Sequence, residues 1–470
     1  MIREMIKKCP RFIYNPIRYI YDRLPTYITT SKRYRKIYNE TIKILEESQN
    51  WSESKVKKFQ FNELKKILIH AYETVPYYIR LFDAIDFDPY IFSDINQMNK
   101  IPFLTKKIIQ NNLNEMLSVQ QNKKDISIKS TGGSTGEPMG FYVDSTYDLA
   151  RENAFIDTLY LRFGYNKKEK TFILRGKLLN GISEKKNKYV TINKMKKQMF
   201  GSSYHLNSKN IQFYIKALFD YKPKTIIAYP SSLTLIANYL NLEKTKCDFV
   251  NKIILASENV YDYQRDLFNK VFANSRTFSF YGHTEHAVFA GECELSHNYH
   301  IQDEYGFTEL VDENGRWITE ECAKGEIVST SFNNYTMPFI RYKTGDIGVN
   351  TNVQCECGRP YRTLKSIEGR MQEYIYLSDK TKVSLTSIIH SQHLDELAKV
   401  SEYQIIQHSI GEITINLIPL TEFTENDKKG IESKITAAVN GKLVVHIHLT
   451  NEIKKTIRGK HKFLIQNIKE

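Results

Sequence analysis

TIIAYPSSLTLIANYLNLEKTKCDFVNKIILASENVYDYQRDLFNKVFANSRTFSFYG, residues 225–282, decides the fold. Three short apolar runs stand out in it: TIIAYP (225–230), KIILASE (252–258) and RTFSFYG (276–282). Each has the length and β-branched or aromatic content of a buried strand. The segments between them, 231–241 and 260–272, read as helices. With TFIL (171–174) upstream, the alternation of strand and helix predicts an α/β fold with a parallel sheet covered by helices.

The flanks extend this reading. The first 100 or so residues are rich in helix formers and end at IPFLTKK, where Pro102 marks a boundary. From 283 to about 368 the chain is strand-rich, with turn signals at Asp312–Gly315 and Gly345–Gly348. The last 100 residues form a second pattern, in which EYIYL, YQIIQH, EITINLIPL and LVVHIHL read as strands. Helices are expected near 386–398 and 424–439, giving a compact α+β unit. The expected organisation is a large domain over 1–369, helical in its first 100 residues, and a small C-terminal domain over 370–470. No internal repeat is evident.

Composition narrows the class. Hydrophobic residues make up 41% and charged residues 26% of the 470, ordinary for a globular protein. No apolar run reaches the length of a membrane span. The basic N-terminus, MIREMIKKCPRFIYNPIRYIYDRLP, lacks the apolar core and cleavage site of a secretory signal. It could make weak contact with an anionic membrane surface, but Pro10 and Pro16 would interrupt a long amphipathic helix. Six cysteines without a secretory signal favour the reducing cytoplasm as the location. The formal charge of +14 is spread along the chain, and its densest run, Lys185–Lys197, reads as a solvated loop. Without a nucleic-acid-binding signature, no nucleic-acid partner is expected.

Ser130-Thr131-Gly132-Gly133-Ser134-Thr135-Gly136-Glu137-Pro138 carries the first chemical signal. Glycines let successive backbone N–H groups approach a phosphate, and hydroxyls add neutral donors. A Walker loop would close on Gly-Lys-Ser/Thr, and Glu137-Pro138 stands there instead. A polar surface turn is the bland alternative. Further along come Tyr281-Gly282-His283-Thr284-Glu285, Arg341-Tyr342-Lys343-Thr344-Gly345-Asp346, Gly369-Arg370 and Arg458-Gly459-Lys460.

In this order and spacing the segments resemble the core motifs of the adenylate-forming superfamily. VPYY (75–78), IPFLTK (101–106), YPSSL (229–233), ASE (256–258), GECE (291–294) and CECGR (355–359) are similar to the phenylacetate–CoA ligase branch. Within that branch the chain resembles the capsular-polysaccharide-associated CapK-type proteins. The resemblance implies ATP and Mg²⁺ as cofactors and a small carboxylic acid as substrate. It implies that Thr131, Gly132, Gly133, Ser134, Thr135 and Gly136 cradle the ATP phosphates. Ser257, Glu258, Tyr281 and Gly282 would border the nucleotide, with Tyr281 on adenine. Thr284 would bond the α-phosphate, Glu285 would bind Mg²⁺, and Asp346 would accept the ribose hydroxyls. Arg370 would sit near the ribose and Gln372 at the interdomain hinge. Lys460 would come from the lid to stabilise charge on the α-phosphate. Tyr204, His205 and Tyr229 would line the acid pocket.

Three departures from the pattern stand out. Met139 replaces the lysine that often closes the phosphate loop, Gln372 replaces the usual Asp or Lys hinge residue, and the proline before the C-terminal lysine is missing. Separately, Cys293, His300, Cys355 and Cys357 supply the four soft ligands of a structural Zn²⁺, with His297 and Cys322 as substitutes. Similar cysteines recur in the phenylacetate–CoA ligase branch.

The resulting expectation is activation of a carboxylic acid to acyl-AMP with release of pyrophosphate. Thioester formation with CoA would follow. The alternatives are transfer to a carrier-protein thiol or a sugar amine in surface-polysaccharide synthesis, and a binding module that keeps the fold without turnover.

Overall fold

The computed structural model describes residues 30–121, 125–130, 139–175, 187–203, 205–206, 209–370, 374–384, 396, 399–419, 423–439, 441–453 and 463–468. The described chain opens with helices, as the sequence leads one to expect. α1 (Lys32–Ser48) and α2 (Glu53–Thr74) start where Ser31 and Ser52 accept backbone N–H bonds at their N-caps. α3 (Pro76–Ala84) carries its proline at the first position, where no N–H is needed. α4 (Lys106–Asn112) follows, capped by Thr105. Leu64, Ile67 and Leu68 of α2 and Tyr78 and Phe82 of α3 are buried in one core, together with Met139 and Phe339.

β1 (Ile126–Ser130) and β2 (Gly140–Asp144) form an antiparallel hairpin that brackets the Ser/Thr/Gly loop. α5 (Ser145–Arg162) leads into one twelve-stranded sheet. Its strands in chain order are β3 (Thr171–Arg175), β4 (Val190–Asn193), β5 (Gln198–Ser202), β6 (Thr225–Ala228), β7 (Lys252–Ala256), β8 (Arg276–Gly282), β9 (Phe289–Glu292), β10 (Tyr299–Ile301), β11 (Gly306–Val311), β12 (Lys324–Ser331), β13 (Tyr342–Asn350) and β14 (Thr363–Arg370). The spatial order is β11-β12-β13-β14-β10-β9-β8-β7-β6-β3-β5-β4. β5, β3, β6, β7 and β8 are mutually parallel, and every other pairing in the sheet is antiparallel. Four of these five parallel strands, β3, β6, β7 and β8, are those read from the sequence; β5 is not. α6 (Ile211–Tyr221), α7 (Pro230–Leu242) and α8 (Asp262–Val271) are its crossovers and share one apolar core with it.

Two expectations change. Gly345–Gly348 does not turn; β13 runs through it, with Gly345 at φ +75° where the ladder to β12 shifts register. Two extra residues of β13 are absorbed as an irregularity of the ladder instead of a reversal. The described part of the Lys185–Lys197 run is not a loop but leads through β4 into the β4–β5 turn, where three of its four lysines, Lys194, Lys196 and Lys197, lie.

Beyond β14 the chain leaves the large sheet. β15 (Tyr374–Tyr376) pairs with β16 (Lys382–Ser384). β17 (Val400–Ser409), β18 (Glu412–Pro419), α9 (Glu425–Ala438), β19 (Val444–Leu449) and β20 (Leu464–Gln466) build a small α+β unit. Its four-stranded sheet has the order β19-β18-β17-β20 and its own core, including Ile405, Ile415, Leu417, Ile431 and Ile435. The helix expected near 386–398 lies outside the described residues apart from Glu396. This small unit touches the large one through aromatics: the Phe463 ring lies 5.9 Å edge-on from Tyr261, the N-cap of α8. No helix among the described residues is long and apolar enough to cross a membrane.

Candidate active site

Parallel strands leave their last residues, and the loops that follow, along one edge of the sheet; ligand sites in open α/β sheets lie there. Arg175, His205, Tyr229, Ser257, Glu258 and Tyr281 all fall at or just past the carboxyl ends of β3, β5, β6, β7 and β8. Gly282 ends β8, and the next three residues form a tight turn in which the His286 N–H bonds the His283 carbonyl at 3.1 Å. Thr284 is half-buried in that turn and Glu285 is buried.

The turn meets β13 of the antiparallel half. The Tyr281 hydroxyl donates to Asp346 Oδ2 at 2.6 Å, and Asp346 is buried. Burial and this carboxylate hold the Tyr281 phenol well above its ordinary pKa, so it stays a donor. The Tyr342 hydroxyl donates to Glu285 Oε1 at 3.1 Å. His283 Nδ1 lies 3.2 Å from Glu285 Oε2 without bonding geometry, and neither buried ring nitrogen of this half-buried histidine has a hydrogen-bond partner among the described residues. Tyr281, Thr284, Glu285 and Asp346, distant in sequence, are therefore neighbours. Arg370 faces Asp346 across the β13–β14 ladder.

A second shell of charge braces the turn. His286, at φ +52°, donates from Nδ1 to Asp148 Oδ1 at 2.5 Å, and Lys129 pairs with the other oxygen of Asp148. Burial acts to lower the His286 pKa, but Glu152 and Asp148 outweigh it and raise it, which favours the charged form of the ring between the carboxylates. Lys129 belongs to β1, so the strand entering the Ser/Thr/Gly loop and the turn carrying Glu285 share one carboxylate. Arg341 of the Arg-Tyr-Lys-Thr-Gly-Asp segment is structural. Its guanidinium is buried, bonds Glu309 at 2.7 Å and 3.1 Å, and donates to the Ile101 carbonyl.

Met139, standing where a lysine is common, is fully buried beside the β1–β2 hairpin. A charged side chain there would lose its solvation without a partner. The loop residues Thr131, Gly132, Gly133, Ser134, Thr135 and Gly136, together with Tyr204, Gln372 and Lys460, lie outside the described residues. His205 Nδ1 is 2.7 Å from the Ser202 hydroxyl, and Tyr229 is buried at the start of α7. The sequence reading missed Arg175 and gave His283 no role. Arg175 ended a strand already assigned to the parallel set, and that position was the available signal.

At the other end of β9 the four predicted metal ligands converge. The ligand atoms of Cys293, His300, Cys355 and Cys357 lie within 4.8 Å of one another, with Cys293 and Cys355 sulfurs 3.3 Å apart. Tetrahedral Zn–S bonds of about 2.3 Å put ligand atoms nearly 4 Å apart, so the donor set fits that ion. Burial, with Arg359 and Arg162, lowers the His300 pKa to about 4, which keeps the imidazole neutral for ligation. His297 is exposed and turns toward Glu292, and Cys322 neighbours Glu321; neither joins the cluster.

The C-terminal domain of CapK, as a family, matches residues 375–467. The chain is 27% identical over 472 residues to protein CapK of Staphylococcus aureus, covering 97% of this chain and 99% of that one. It is 22% identical over 342 residues to the phenylacetate–coenzyme A ligase of Thermus thermophilus, covering 69% and 72%. Among solved structures, 2-hydroxyisobutyryl-CoA ligase in the postadenylation state superposes with a TM-score of 0.69 at 15% identity, covering 89% of this chain and 91% of that one. The same enzyme in the thioesterification state gives 0.57 at 16% identity, covering 90% and 91%. The chain is thus similar to CapK along nearly its whole length and to the phenylacetate–CoA ligases over about two thirds of it, and it has the fold of the adenylate-forming CoA ligases.

Proposed function

We propose that this protein is an AMP-forming acid ligase, which joins a small carboxylic acid to AMP from ATP and then passes the acyl group to a thiol. The observation that carries the reading is the meeting of Tyr281, Thr284, Glu285 and Asp346 at the carboxyl edge of the parallel strands. Asp346 has two acceptor oxygens suited to vicinal ribose hydroxyls, and the half-buried Tyr281 ring offers a face for adenine. Thr284 presents a hydroxyl to the α-phosphate. Ser257 and Glu258 border the base.

Glu285 fits a hard cation: its carboxylate is buried, accepts from Tyr342, and adjoins Thr284, where the α-phosphate would sit. Mg²⁺ held there would offset phosphate charge. The remaining work belongs to the chain. A carboxylate and a triphosphate repel, so the site must hold both in line while backbone N–H groups and Lys460 receive developing charge. The acid's oxygen forms its bond to the α-phosphorus as the bond to pyrophosphate breaks, and no side-chain nucleophile is needed. The domain boundary near residue 370, a hinge at Gln372 and a mobile lid over 370–470 belong to the same reading. Support comes from Phe463, which packs at the N-terminus of α8 and so brings the small unit to the site's edge.

CoA is the favoured acceptor because the ligase relatives use it by name. A carrier-protein thiol or a sugar amine is the second reading, since CapK, matched along nearly the whole chain, is not named as a CoA ligase. Structural Zn²⁺ at Cys293, His300, Cys355 and Cys357 completes the proposal. The test is acid-dependent exchange of labelled pyrophosphate into ATP across a panel of acids, then AMP release with and without CoA. Absence of exchange with every acid would leave a binding module; AMP release indifferent to CoA would favour the second acceptor.

A further inference from the structure

Arg175 is the last residue of β3, and its side chain does not stay on its own strand. The guanidinium lies 5.8 Å from the centre of the Tyr229 ring, past β6, and donates to the Ser257 hydroxyl past β7 at 3.0 Å. It therefore leans across two strand spacings of about 4.8 Å each and ends about one strand short of Tyr281. Among the described residues no carboxylate lies within ion-pairing distance of it. Tyr229 supports it from the ring face and Ser257 takes one of its five donors. Ser257 holds an unusual backbone conformation for a non-glycine residue, φ +73°, at this spot. Strain of that kind concentrates at ligand sites.

We infer that Arg175 is the anion receptor of the acid site, and that the substrate carries a second carboxylate or comparable anionic group in addition to the one activated. This rests on the ligase reading and sharpens its substrate class. A guanidinium held by a ring face and one hydroxyl keeps donors free for a bidentate, charge-assisted pair with a carboxylate. The reacting carboxylate must sit at Thr284, on the far side of β8's end. A group held at Arg175 belongs to the other end of the acid. A plain aromatic or aliphatic monoacid would leave these donors without a partner on the ligand, whereas a second carboxylate would use them, and that difference is the basis of selection.

The test uses matched pairs of acids, adipate against hexanoate and 4-carboxyphenylacetate against phenylacetate, with pyrophosphate release as readout. The diacid of each pair is expected to have at least a tenfold higher kcat/KM. Arg175→Met should raise the diacid KM by 10- to 100-fold while the KM of ATP and that of the monoacid move less than threefold. Arg175→Lys should fall between. Arg276→Met, at the amino end of β8, is the control and should leave the preference intact. Thermal stabilisation by the diacid without ATP separates the two levels of the argument. Stabilisation of wild type but not of Arg175→Met supports the receptor even where no acid is turned over. Equal loss on both members of a pair, no preference in wild type, or no diacid stabilisation with no preference overturns it.

Discussion

β9 is four residues long and joins two sites of opposite character. At its Phe289 end, beside Tyr281, lie polar groups with unfinished bonding. The His283 ring nitrogens and Glu258 Oε1 are buried without hydrogen-bond partners among the described residues, and Arg175 has no acidic partner there. At the other end Cys293, His300, Cys355 and Cys357 turn inward on one another, and Arg359 closes the flank by gripping Glu294 at 2.6 Å and 3.0 Å. The first arrangement is costly unless something arrives to complete it. The second is complete with one ion. A site that exchanges its ligand every turnover stays partly unpaired, whereas a site that holds one permanently does not. Substitutions should therefore separate the two: chemistry without stability at one end, stability without chemistry at the other.

The largest effect is expected at the first end. Glu285→Gln and Asp346→Ala should each lower acid-dependent pyrophosphate exchange by about 10³-fold or more, with far-UV circular dichroism unchanged. Near wild-type exchange in either variant would remove the nucleotide site from this edge. Lys460→Ala should slow acyl-AMP formation by roughly 10²–10³-fold, the cost of losing one preorganised charge. Given preformed acyl-AMP, that variant should still transfer the acyl group at near wild-type rate. Alanine at Lys454, Lys455, Arg458 or Lys462 is the comparison, and an equal loss there would reduce Lys460 to one member of a diffuse patch.

At the second end the readout reverses. Elemental analysis should find about one zinc per chain. Chelation or Cys357→Ser should lower the melting temperature by several degrees before exchange activity falls. Protein free of zinc, with Cys357→Ser as stable as wild type, would end the contrast. The smallest effect sharpens it most. His283→Leu removes two buried polar atoms that have no hydrogen-bond partner among the described residues, so it should stabilise the fold by about 1 kcal/mol while weakening adenylation. A destabilised variant with normal activity would mean that His283 serves packing and not the site.

The parallel half of the sheet was legible because its signals are local. β6 and β7 are short apolar runs each followed by a helix start, and Pro230 at the head of α7 marks one boundary directly, whereas β5, Gln198–Ser202, has no such run and was missed. The antiparallel half was legible only as strands; its order depends on long-range pairing, such as β10 beside β14, that no local pattern encodes. Gly345 misled because a glycine at positive φ serves a bulge as well as a turn. β20 is three residues long, too short for its own period. Tyr281, Glu285 and Asp346 could be named because they stand in motifs. Their neighbours Tyr342, Asp148 and His286 emerged only from packing, since a hydrogen bond across 138 residues leaves no spacing to read. Arg175 was hidden for another reason: an arginine ending a strand looks like solvated charge until its side chain is seen lying over Tyr229.

Arg370 stands opposite Asp346 in the β13–β14 ladder, and four residues later the chain is already in another sheet. On the proposed reading the small C-terminal unit would act as a lever whose root is bonded beside the carboxylate that would hold the ribose. A unit of about 100 residues is some 25 Å across. Turning it by about 10° at the root sweeps its tip through roughly 4 Å, more than the length of a hydrogen bond. A change at Asp346 too slight to move the large sheet is enough, after that magnification, to make or break a contact carried at the lever's far end.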